Sequence, residues 1–515
     1  MKSCMIILGA GVMQGPVMRI ARELGYKTVA LDGNPDAPCR SMCDRFENID
    51  LKDTENIIRL AETLKSEGGA LAGIMTAGTD FSAQVAFAAE KLGLPGIPVE
   101  AALDASDKER MRRRFTAAGV PSPAFCILCE PPGDDFAPPF HYPVVVKPVD
   151  NMGARGCRLV RSPKELRAAA EDALRYSRSS RAIVEEYLDG PEFSVDALVY
   201  RGEISICGLA ERHIFYPPFF VEMGHTMPAE ITPETARIVL DTFCAGVRAL
   251  GIENGAAKGD IKYTTKGAFV GEIAARLSGG YMSGWTYPYS SGVEPIRGAV
   301  LIAAGMPPDI IPPLRSWTSA ERAFISIPGT VRAIRGVSAA EKRWGIKDVF
   351  LRVHEGDNVL FPVNNVEKCG NVISAAPDRF EAVKAAEDAS RSILIELESP
   401  DKETSAFLAA PLDTEFPPSA YTTNGVLAAA LEKIPEDALY SGGELTVSPF
   451  PKFMNAALTD YAGRPPAESM DAVRTLTGLP LVECEGGVLG KEFWRAMLRG
   501  GYQGAAYHIK AGYKV

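Results

Sequence analysis

One stretch of the chain, from Tyr142 to Val160, constrains the fold more than any other. It contains a β-branched run that ends at Lys147, a polar loop with Gly153 and Gly156, and a second short apolar run. Two such runs joined by a glycine-bearing loop predict a β-hairpin. Backbone N–H groups of a small, polar loop can surround an anion, and Lys147 adds positive charge beside it. The stretch therefore predicts a phosphate clamp, with a hairpin and an incidental surface lysine as the alternative.

Further along the chain, a second predicted hairpin brings two carboxylates face to face. Thr265-Lys266-Gly267 suits a three-residue turn with glycine in the left-handed conformation, and that turn pairs positions whose numbers sum to 532. Asp260 then stands opposite Glu272. Two carboxylates at about 5 Å repel one another, and a divalent cation between them would reverse the sign. The pattern predicts a Mg²⁺ site, with two solvated carboxylates as the alternative. Arg276 follows four residues after Glu272 and would lie on the same face if the strand continued that far.

Four features in this order resemble the ATP-grasp superfamily over about the first 400 residues. They are Asp107-Lys108, the Lys147 hairpin, the run Val184-Glu-Glu-Tyr-Leu188, and the hairpin with Asp260 and Glu272. The sequence is closest to the L-amino-acid-ligase-like and biotin-carboxylase-like members. Many members carry Asn-Pro between the metal-binding Glu and the Arg, where Ala274-Ala275 stand here, so a common ligand of a second metal ion is missing.

The resemblance implies ATP and Mg²⁺, with Mn²⁺ as a substitute, and a role for each matching residue. Lys108 and Lys147 would contact the phosphates, and Gly153 and Gly156 would lie in a mobile loop over them. The hinge that contacts adenine would consist of Glu185, Glu186, Tyr187 and Leu188, and Glu192 would hold the ribose. Asp260 and Glu272 would bind the metal, and Arg276 together with Lys147 would act on the transferring group.

Substrate contacts are expected in two further segments. The aromatic, proline-broken segment 211–225 shows neither helix nor strand periodicity, so a long loop over the active site is predicted there, with Arg212, His213 and His225 as candidate substrate residues. Ser278 and Gly279, after Arg276, would leave room for a carboxylate. A steric requirement of the turn is the alternative for these two small residues.

The fold class predicted from these patterns is a multidomain α/β and α+β protein. Alternating strands and helices predict a parallel α/β domain over residues 1–100. By resemblance, an ATP-grasp domain of two α+β subdomains spans 101–315 and a β-rich subdomain 316–400; an additional α+β domain of unknown role spans 405–515. Gly9-Ala-Gly11-Val-Met-Gln-Gly15 with Asp32 suggests a dinucleotide site, but the glycine spacing is one residue too long.

Composition limits the partners and the compartment. The 515 residues carry a net charge of −10, which argues against nucleic acid and anionic membranes because both require a basic face. No apolar run approaches the roughly 20 residues that span a bilayer. Ten scattered cysteines are expected to be reduced thiols of a cytoplasmic protein.

The expected reaction is ATP-dependent ligation of a small carboxylate to an amine, with release of ADP. No Ser-His-Asp or Cys-His arrangement is evident, and phosphoryl transfer from ATP to a carboxylate requires no enzyme nucleophile. The alternatives are a bicarbonate-using carboxylase and a non-catalytic nucleotide-binding protein. Resemblance alone suggests a homodimer.

Overall fold

A computed structural model describes residues 3–133, 135–422, 425–439, 444–449 and 458–512. The chain divides into two compact units. The first contains residues up to 213, 224–321 and 375–379, and the second contains 214–223, 322–374 and the residues from 380 onwards. Within the described residues, no helix has both the length and the apolar character needed to cross a membrane.

The first unit begins with a parallel α/β domain, as predicted. Its four strands lie in the order β3-β2-β1-β4, all parallel. Side chains of β1 alternate between two cores, with Met5 and Ile7 on one face and Ile6 and Leu8 on the other, because helices cover both faces of the sheet. The elements are β1 (Cys4–Leu8), α1 (Gly15–Glu23), β2 (Lys27–Leu31), β3 (Arg45–Glu47), α2 (Thr54–Ser66), β4 (Leu71–Met75), α3 (Ser82–Leu92), α4 (Val99–Ser106) and α5 (Lys108–Ala118).

An antiparallel sheet follows, and it contains the Lys147 hairpin. Its strands lie in the order β5-β8-β6-β7, and one long helix packs against them through Leu166, Ala169 and Ala173. The hairpin predicted at Tyr142–Val160 is confirmed, since β6 pairs antiparallel with β7. The elements are β5 (Phe125–Leu128), β6 (Val144–Pro148), β7 (Arg158–Val160), α6 (Pro163–Tyr176) and β8 (Ala182–Glu186).

A second antiparallel sheet carries the Asp260 hairpin. Its strands in the first unit lie in the order β13-β12-β9-β10-β11-β14. Helix α7 begins after Thr232, whose side chain accepts the N–H of Thr235, and ends at left-handed Gly251; its Phe243 packs on the apolar face of the sheet. The elements are β9 (Glu192–Tyr200), β10 (Glu203–Phe215), β11 (Val221–Met227), α7 (Pro233–Leu250), β12 (Asn254–Thr264), β13 (Gly267–Ala274), a π-helical turn (Met282–Thr286), α8 (Tyr287–Ser291), α9 (Pro295–Ala303) and β14 (Thr318–Phe324).

The long loop predicted at 211–225 is wrong, because β10 and β11 occupy most of this segment. Two features explain why the spacing of apolar and polar residues did not predict these strands. The register of β10 against β9 shifts between Ile206 and Gly208, and such a bulge reverses which residues face the core. Nearly every residue of β11 is buried, so the strand shows no polar alternation.

The second unit combines small sheets with helices. One sheet has the order β17-β15-β19, β16 pairs with β18, and β20 pairs with β21. Its elements are β15 (Gly329–Arg335), α10 (Val337–Glu341), β16 (Ile346–Leu351), β17 (Asn358–Val359), β18 (Gly370–Ala376), α11 (Arg379–Ser392), β19 (Leu394–Leu397), α12 (Lys402–Ala409), α13 (Gly425–Leu431), β20 (Thr446–Val447), α14 (Pro466–Thr477), β21 (Val482–Glu483) and α15 (Lys491–Gly512).

Helix α15 covers one edge of β19. It bends at Gly501, whose φ of 60° and ψ of −150° are not helical. Beyond the bend, the hydroxyl of Tyr502 accepts the N–H of Ile395 at 2.9 Å, and Gln503 Nε2 donates to the Ile395 carbonyl at 3.2 Å. Side chains of the helix thereby satisfy backbone groups that an edge strand would otherwise expose.

Candidate active site

The β12–β13 hairpin places Asp260 directly opposite Glu272, as predicted. The predicted turn is wrong, however. Thr264 pairs with Gly267, so the connection has two residues instead of three. The residue numbers of the pairs nearest to the turn therefore sum to 531 and not to the predicted 532. A one-residue register shift follows between Asp260 and Ile261, and Gly271 is the extra residue of this bulge. The bulge restores the sum of 532 at Asp260, so two departures from the simple hairpin cancel.

One face of the sheet carries an array of alternating charges, because residues two apart on a strand share a face. Three rows cross the strands in the order β10, β9, β12, β13. The first row is Gly208, Asp196, Lys258 and Ala274; the second is Ala210, Ser194, Asp260 and Glu272; the third is Arg212, Glu192, Lys262 and Phe269. Small residues leave the charged side chains room to face one another.

Positive charges surround the carboxylate of Glu272. Lys108 Nζ lies 3.5 Å from Glu272 Oε1 and donates to the Asn151 carbonyl at 2.9 Å. Burial alone would raise the pKa of Glu272, but Lys108, Lys258, Lys147 and Arg276 lower it to about 2. Burial lowers the pKa of Lys108, but Glu272 and Asp80 outweigh that effect and raise it. Both groups are therefore charged at neutral pH, and the Glu272 side chain is 37% exposed to a ligand.

Glu185 holds Lys147 in place rather than pointing its side chain at a nucleotide. The Glu185 side chain is buried, with Oε2 2.7 Å from Lys147 Nζ and Oε1 2.9 Å from Arg112 Nε. Arg112 is fully buried and also donates to the carbonyl of Gly271, the bulge residue. No role was predicted for Arg112 from the sequence. Its position in the sequence, four residues after Lys108 on the same helix, is the available signal.

The remaining predicted hinge and loop residues lie at the end of β8 and in the loop that follows β6. Glu186 ends β8, and half-buried Tyr187 and Leu188 follow it without regular structure. The loop after Lys147 contains left-handed Gly153 and Gly156, with φ of 69° and 66°. A Cβ at Gly156 would lie 3.0 Å from the Tyr176 ring, so the close approach as well as the positive φ requires glycine.

Arg212 links two of the predicted nucleotide and metal residues. Its Nη1 lies 3.0 Å from Asp260 Oδ1 and also contacts the Glu192 carboxylate. Lys262 Nζ lies 3.4 Å from Glu192 Oε2. Arg212 was predicted as a substrate residue in a loop, and the structure places it in β10 instead, within the charged array.

The two histidines are in strands, not in the predicted loop. His213 Nε2 lies 3.0 Å from the Thr226 hydroxyl. His225 is fully buried, with Nε2 3.0 Å from the Thr286 hydroxyl and Nδ1 3.2 Å from Glu321 Oε2. A ring enclosed in this way is typical of a structural histidine, so the geometry does not support direct contact of His225 with a substrate.

Arg276 and Ser278 differ in how well their polar atoms are satisfied. The Nε of Arg276 is buried and has no hydrogen-bond partner among the described residues, although its Nη1 donates to the Leu277 carbonyl at 3.1 Å. Ser278 is buried, and both its N–H and its hydroxyl donate to Asp196. Burial raises the pKa of Asp196 to about 6. Asp196, which the sequence argument left without a role, therefore anchors the predicted substrate turn.

The glycine turn of the N-terminal domain abuts the same region. A Cβ at Gly78 would lie 3.1 Å from the Cα of Gly279, so the two backbones are in close contact. The Asp32 carboxylate accepts the N–H of Ala10 at 2.8 Å, and the side chain of Gln14 fills the space over Gly9. The groups that would bind a dinucleotide are thus used inside the protein, which favours a structural turn.

The residues fit a magnesium–nucleotide complex. No group of three or more His, Cys, Asp or Glu side chains suited to a metal lies within the described residues, so the candidate protein ligands are the pair Asp260 and Glu272. Mg²⁺ bound to ATP takes most of its oxygens from phosphates and water and needs only one or two carboxylates. The Ser194 hydroxyl beside Asp260 and the Nε of Arg276 are buried polar atoms without partners in the part of the chain described, which is typical of a ligand site.

Comparisons with known proteins agree with this geometry. Residues 140–284 match the ATP-grasp domain, and residues 323–398 match the L-amino acid ligase C-terminal domain 2. The chain is 25% identical to carnosine synthase 1 of Gallus gallus over 331 residues, 60% of this chain and 36% of that protein. It is 26% identical to D-alanine–D-alanine ligase of Gloeobacter violaceus over 269 residues, 50% of this chain and 80% of that protein.

A solved structure shows the same fold. The L-amino acid ligase of Bacillus licheniformis superposes with a TM-score of 0.67 at 22% identity, covering 77% of this chain and 99% of that one. The chain spans only about half of the length of the human carnosine synthase 1 that it also matches, 49%. The resemblance drawn from the four motifs is confirmed. The chain carries an ATP-grasp domain over residues 140–284, followed by an L-amino acid ligase C-terminal domain 2 over residues 323–398.

Proposed function

We propose that this protein is an ATP- and Mg²⁺-dependent ligase that joins a small carboxylate to an amine and releases ADP and phosphate. The observation that carries the proposal is the register pair of Asp260 and Glu272, with Lys108 held beside it and with the buried Nε of Arg276 lacking a hydrogen-bond partner among the described residues. A pair of facing carboxylates ringed by cations suits a magnesium–triphosphate complex better than a purely structural role.

The proposed chemistry follows from the poor leaving group of a carboxylate. Transfer of the γ-phosphoryl group from ATP to the carboxylate oxygen forms an acyl phosphate, and ADP leaves. The amine nitrogen then attacks the acyl carbon, the C–O bond to phosphate breaks, and the amine loses a proton. Such transfer requires positioning and charge neutralisation rather than a covalent enzyme nucleophile.

The charged residues take distinct roles in this proposal. Lys108 and Lys147 neutralise phosphate oxygens, and Glu185 fixes Lys147 in position. Arg276 directs its buried Nε–H toward the transferring phosphoryl group or the acyl group. Asp260 and Glu272 hold Mg²⁺, which supplies positive charge to the triphosphate when it is bound.

The rest of the site binds and encloses the substrates. Residues 185–188 form the adenine hinge and Glu192 holds the ribose. Gly153 and Gly156 give the loop over the phosphates its conformation, and closure of that loop would exclude water from the acyl phosphate. The Ser278–Gly279 turn, fixed by Asp196 and packed against Gly78, borders the place for the substrate carboxylate.

The test is a phosphate-release screen of amino acids taken in pairs with Mg-ATP. At least one pair should give ADP and phosphate in equal amounts together with an amide product detectable by mass spectrometry. Glu272→Gln should lower ADP formation about 1,000-fold or more, because it removes a metal ligand and a negative charge from the centre of the site.

Glu203→Gln is the matched control for this variant. Glu203 is exposed at the start of β10 in the same sheet, and the same substitution there should leave ADP formation unchanged. Unaltered ADP formation by Glu272→Gln would contradict the metal assignment. ADP formation that requires bicarbonate instead of a second substrate would indicate a carboxylase, and tight ATP binding without turnover would indicate a nucleotide-binding protein.

We further propose a cytoplasmic location, since all ten cysteines are free thiols and ATP is the proposed substrate. The acidic net charge of −10 disfavours nucleic acid as a partner. A homodimer remains part of the proposal, and light scattering would test it.

A further inference from the structure

Lys258 lies in the middle of the charged sheet face, with Asp196 on the neighbouring strand and Asp260 two residues along its own strand. It pairs with Asp196 of β9 on one side and with Ala274 of β13 on the other. Its Nζ contacts the Asp260 carboxylate, and its side chain is only 16% exposed. The positive charge of Lys258 also acts on Asp196 and Glu272, where it opposes the rise in pKa that burial causes at each carboxyl group.

The face offers few oxygen ligands beyond the facing carboxylates. Ala274 lies two residues after Glu272 on the same face, and its methyl side chain has no oxygen or nitrogen that could bind a metal ion. Asp196 is fully buried and accepts both the N–H and the hydroxyl of Ser278, so its oxygens are engaged. Two divalent ions about 4 Å apart need carboxylates that bridge them as well as further ligands at each ion. Asp260 and Glu272 alone do not meet that need.

We propose that Lys258 is a fixed cation of this site and that the protein therefore takes one divalent ion, not two, with each nucleotide. A lysine ammonium is a compact point charge that can lie beside a carboxylate as a metal ion would, without demanding a coordination shell. Its attachment to β12 keeps that charge beside Asp260 whatever the Mg²⁺ concentration. This inference rests on the proposed function and concerns how the same site is charged.

The experiment counts Mn²⁺ ions, with a non-hydrolysable ATP analogue present, by electron paramagnetic resonance of the free ion. Wild-type protein should bind one Mn²⁺ per chain. Lys258→Met should still bind one ion, at least about 10-fold more tightly, because Asp260 loses its competing cation. The double variant Lys258→Met with Ala274→Asn should bind two, since it regains room, negative charge and an amide oxygen.

Two controls make the count interpretable. Lys27→Met, at an exposed position that begins β2, should bind one ion with wild-type affinity. Thermal unfolding of each variant should occur within a few degrees of wild type, and the wild-type count tests the inference even where a variant does not fold.

Failure of this inference and failure of the ligase proposal give different results. Two Mn²⁺ ions per chain in the wild-type protein would overturn the role of Lys258 and leave the ligase proposal standing. Unchanged affinity in Lys258→Met would also overturn it. Absence of any nucleotide-dependent Mn²⁺ binding would overturn both proposals.

Discussion

Two arginines, one in each unit, differ in how fully their donor atoms are satisfied. Arg499 of the second unit is 1% exposed, and its donors reach the carbonyls of Phe407 at 3.0 Å and Pro417 at 2.9 Å. Burial lowers the pKa of Arg499, yet the group stays charged because the ordinary pKa of arginine lies far above neutral pH. Arg276 of the first unit keeps a buried Nε without a partner in the described chain.

Two carboxylates repeat the contrast. Glu396 is 3% exposed and binds Arg335 at 2.9 Å and Lys510 as direct partners. Glu272 is surrounded by four cations, but among the described residues it forms an ion pair within 4 Å with Lys108 alone, and its side chain is 37% exposed. Satisfied networks of buried charge give a region one rigid arrangement, whereas partly satisfied networks mark the place where a ligand completes them. In a chain with many buried ion pairs, an incompletely satisfied charged group therefore indicates the candidate active site better than a buried charge does.

Glu185 gives the largest expected effect because it belongs to both kinds of network. Glu185→Gln should lower the free energy of unfolding by about 3 to 5 kcal/mol, since fully buried Arg112 loses the carboxylate that lies 2.9 Å from its Nε. It should also weaken ATP binding, because Lys147 is released. Chemical denaturation and nucleotide titration measure the two effects. Glu171→Gln, which breaks the exposed 3.5 Å pair with Arg167, should change stability by less than about 0.5 kcal/mol.

The contrast between Arg499 and Arg276 predicts that substituting the first lowers stability and that substituting the second lowers activity. Arg499→Met should lower the free energy of unfolding by about 3 kcal/mol, since buried carbonyls lose their donor, and Tm should fall by about 6 to 12 °C. ADP formation at 20 °C by the folded protein should change little. Arg276→Met should lower ADP formation about 100- to 1,000-fold with a nearly unchanged Tm.

Calorimetry measures the stability of the Arg499→Met and Arg276→Met variants, and an ADP assay on the same preparations measures their activity. Loss of activity in Arg499→Met without loss of stability would show that the second unit takes part in chemistry. Loss of stability in Arg276→Met without loss of activity would show that its buried Nε is structural after all. Either result would break the contrast between satisfied and unsatisfied networks.

Asp196 gives the smallest and most specific effect. Its pKa is about 6 in the folded protein and 3.8 as the ordinary value, so the unfolded chain releases the proton first as the pH rises. Stability from this group is present below pH 4 and is lost as the pH rises to about 6, by at most about 3 kcal/mol. Asp196→Asn should remove this loss. Denaturant titrations at pH 4 and pH 6.5 measure it, and parallel pH profiles for both proteins would contradict it.

Local patterns accounted for most of the fold of the first 100 residues. The predicted alternation of strands and helices is present there, beginning with β1 at Cys4–Leu8 and α1 at Gly15–Glu23. Both boundaries have local causes, since β-branched runs favour strands and glycine or proline interrupts them. The facing pair Asp260 and Glu272 was predicted correctly only because the two-residue turn and the bulge at Gly271, neither of which was predicted, cancel.

The partners of each charged side chain were not predictable in this way. The sequence by itself determined the order of the motifs, the alternation of strands and helices, and which residue types stand at the candidate site. Only the tertiary structure decided that β10 and β11 are strands, that Glu185 binds Arg112 and Lys147, that His225 is enclosed, and that Lys258 lies beside Asp260. The physical reason is that register shifts and burial depend on strands and helices distant in the chain, whose packing no local pattern records.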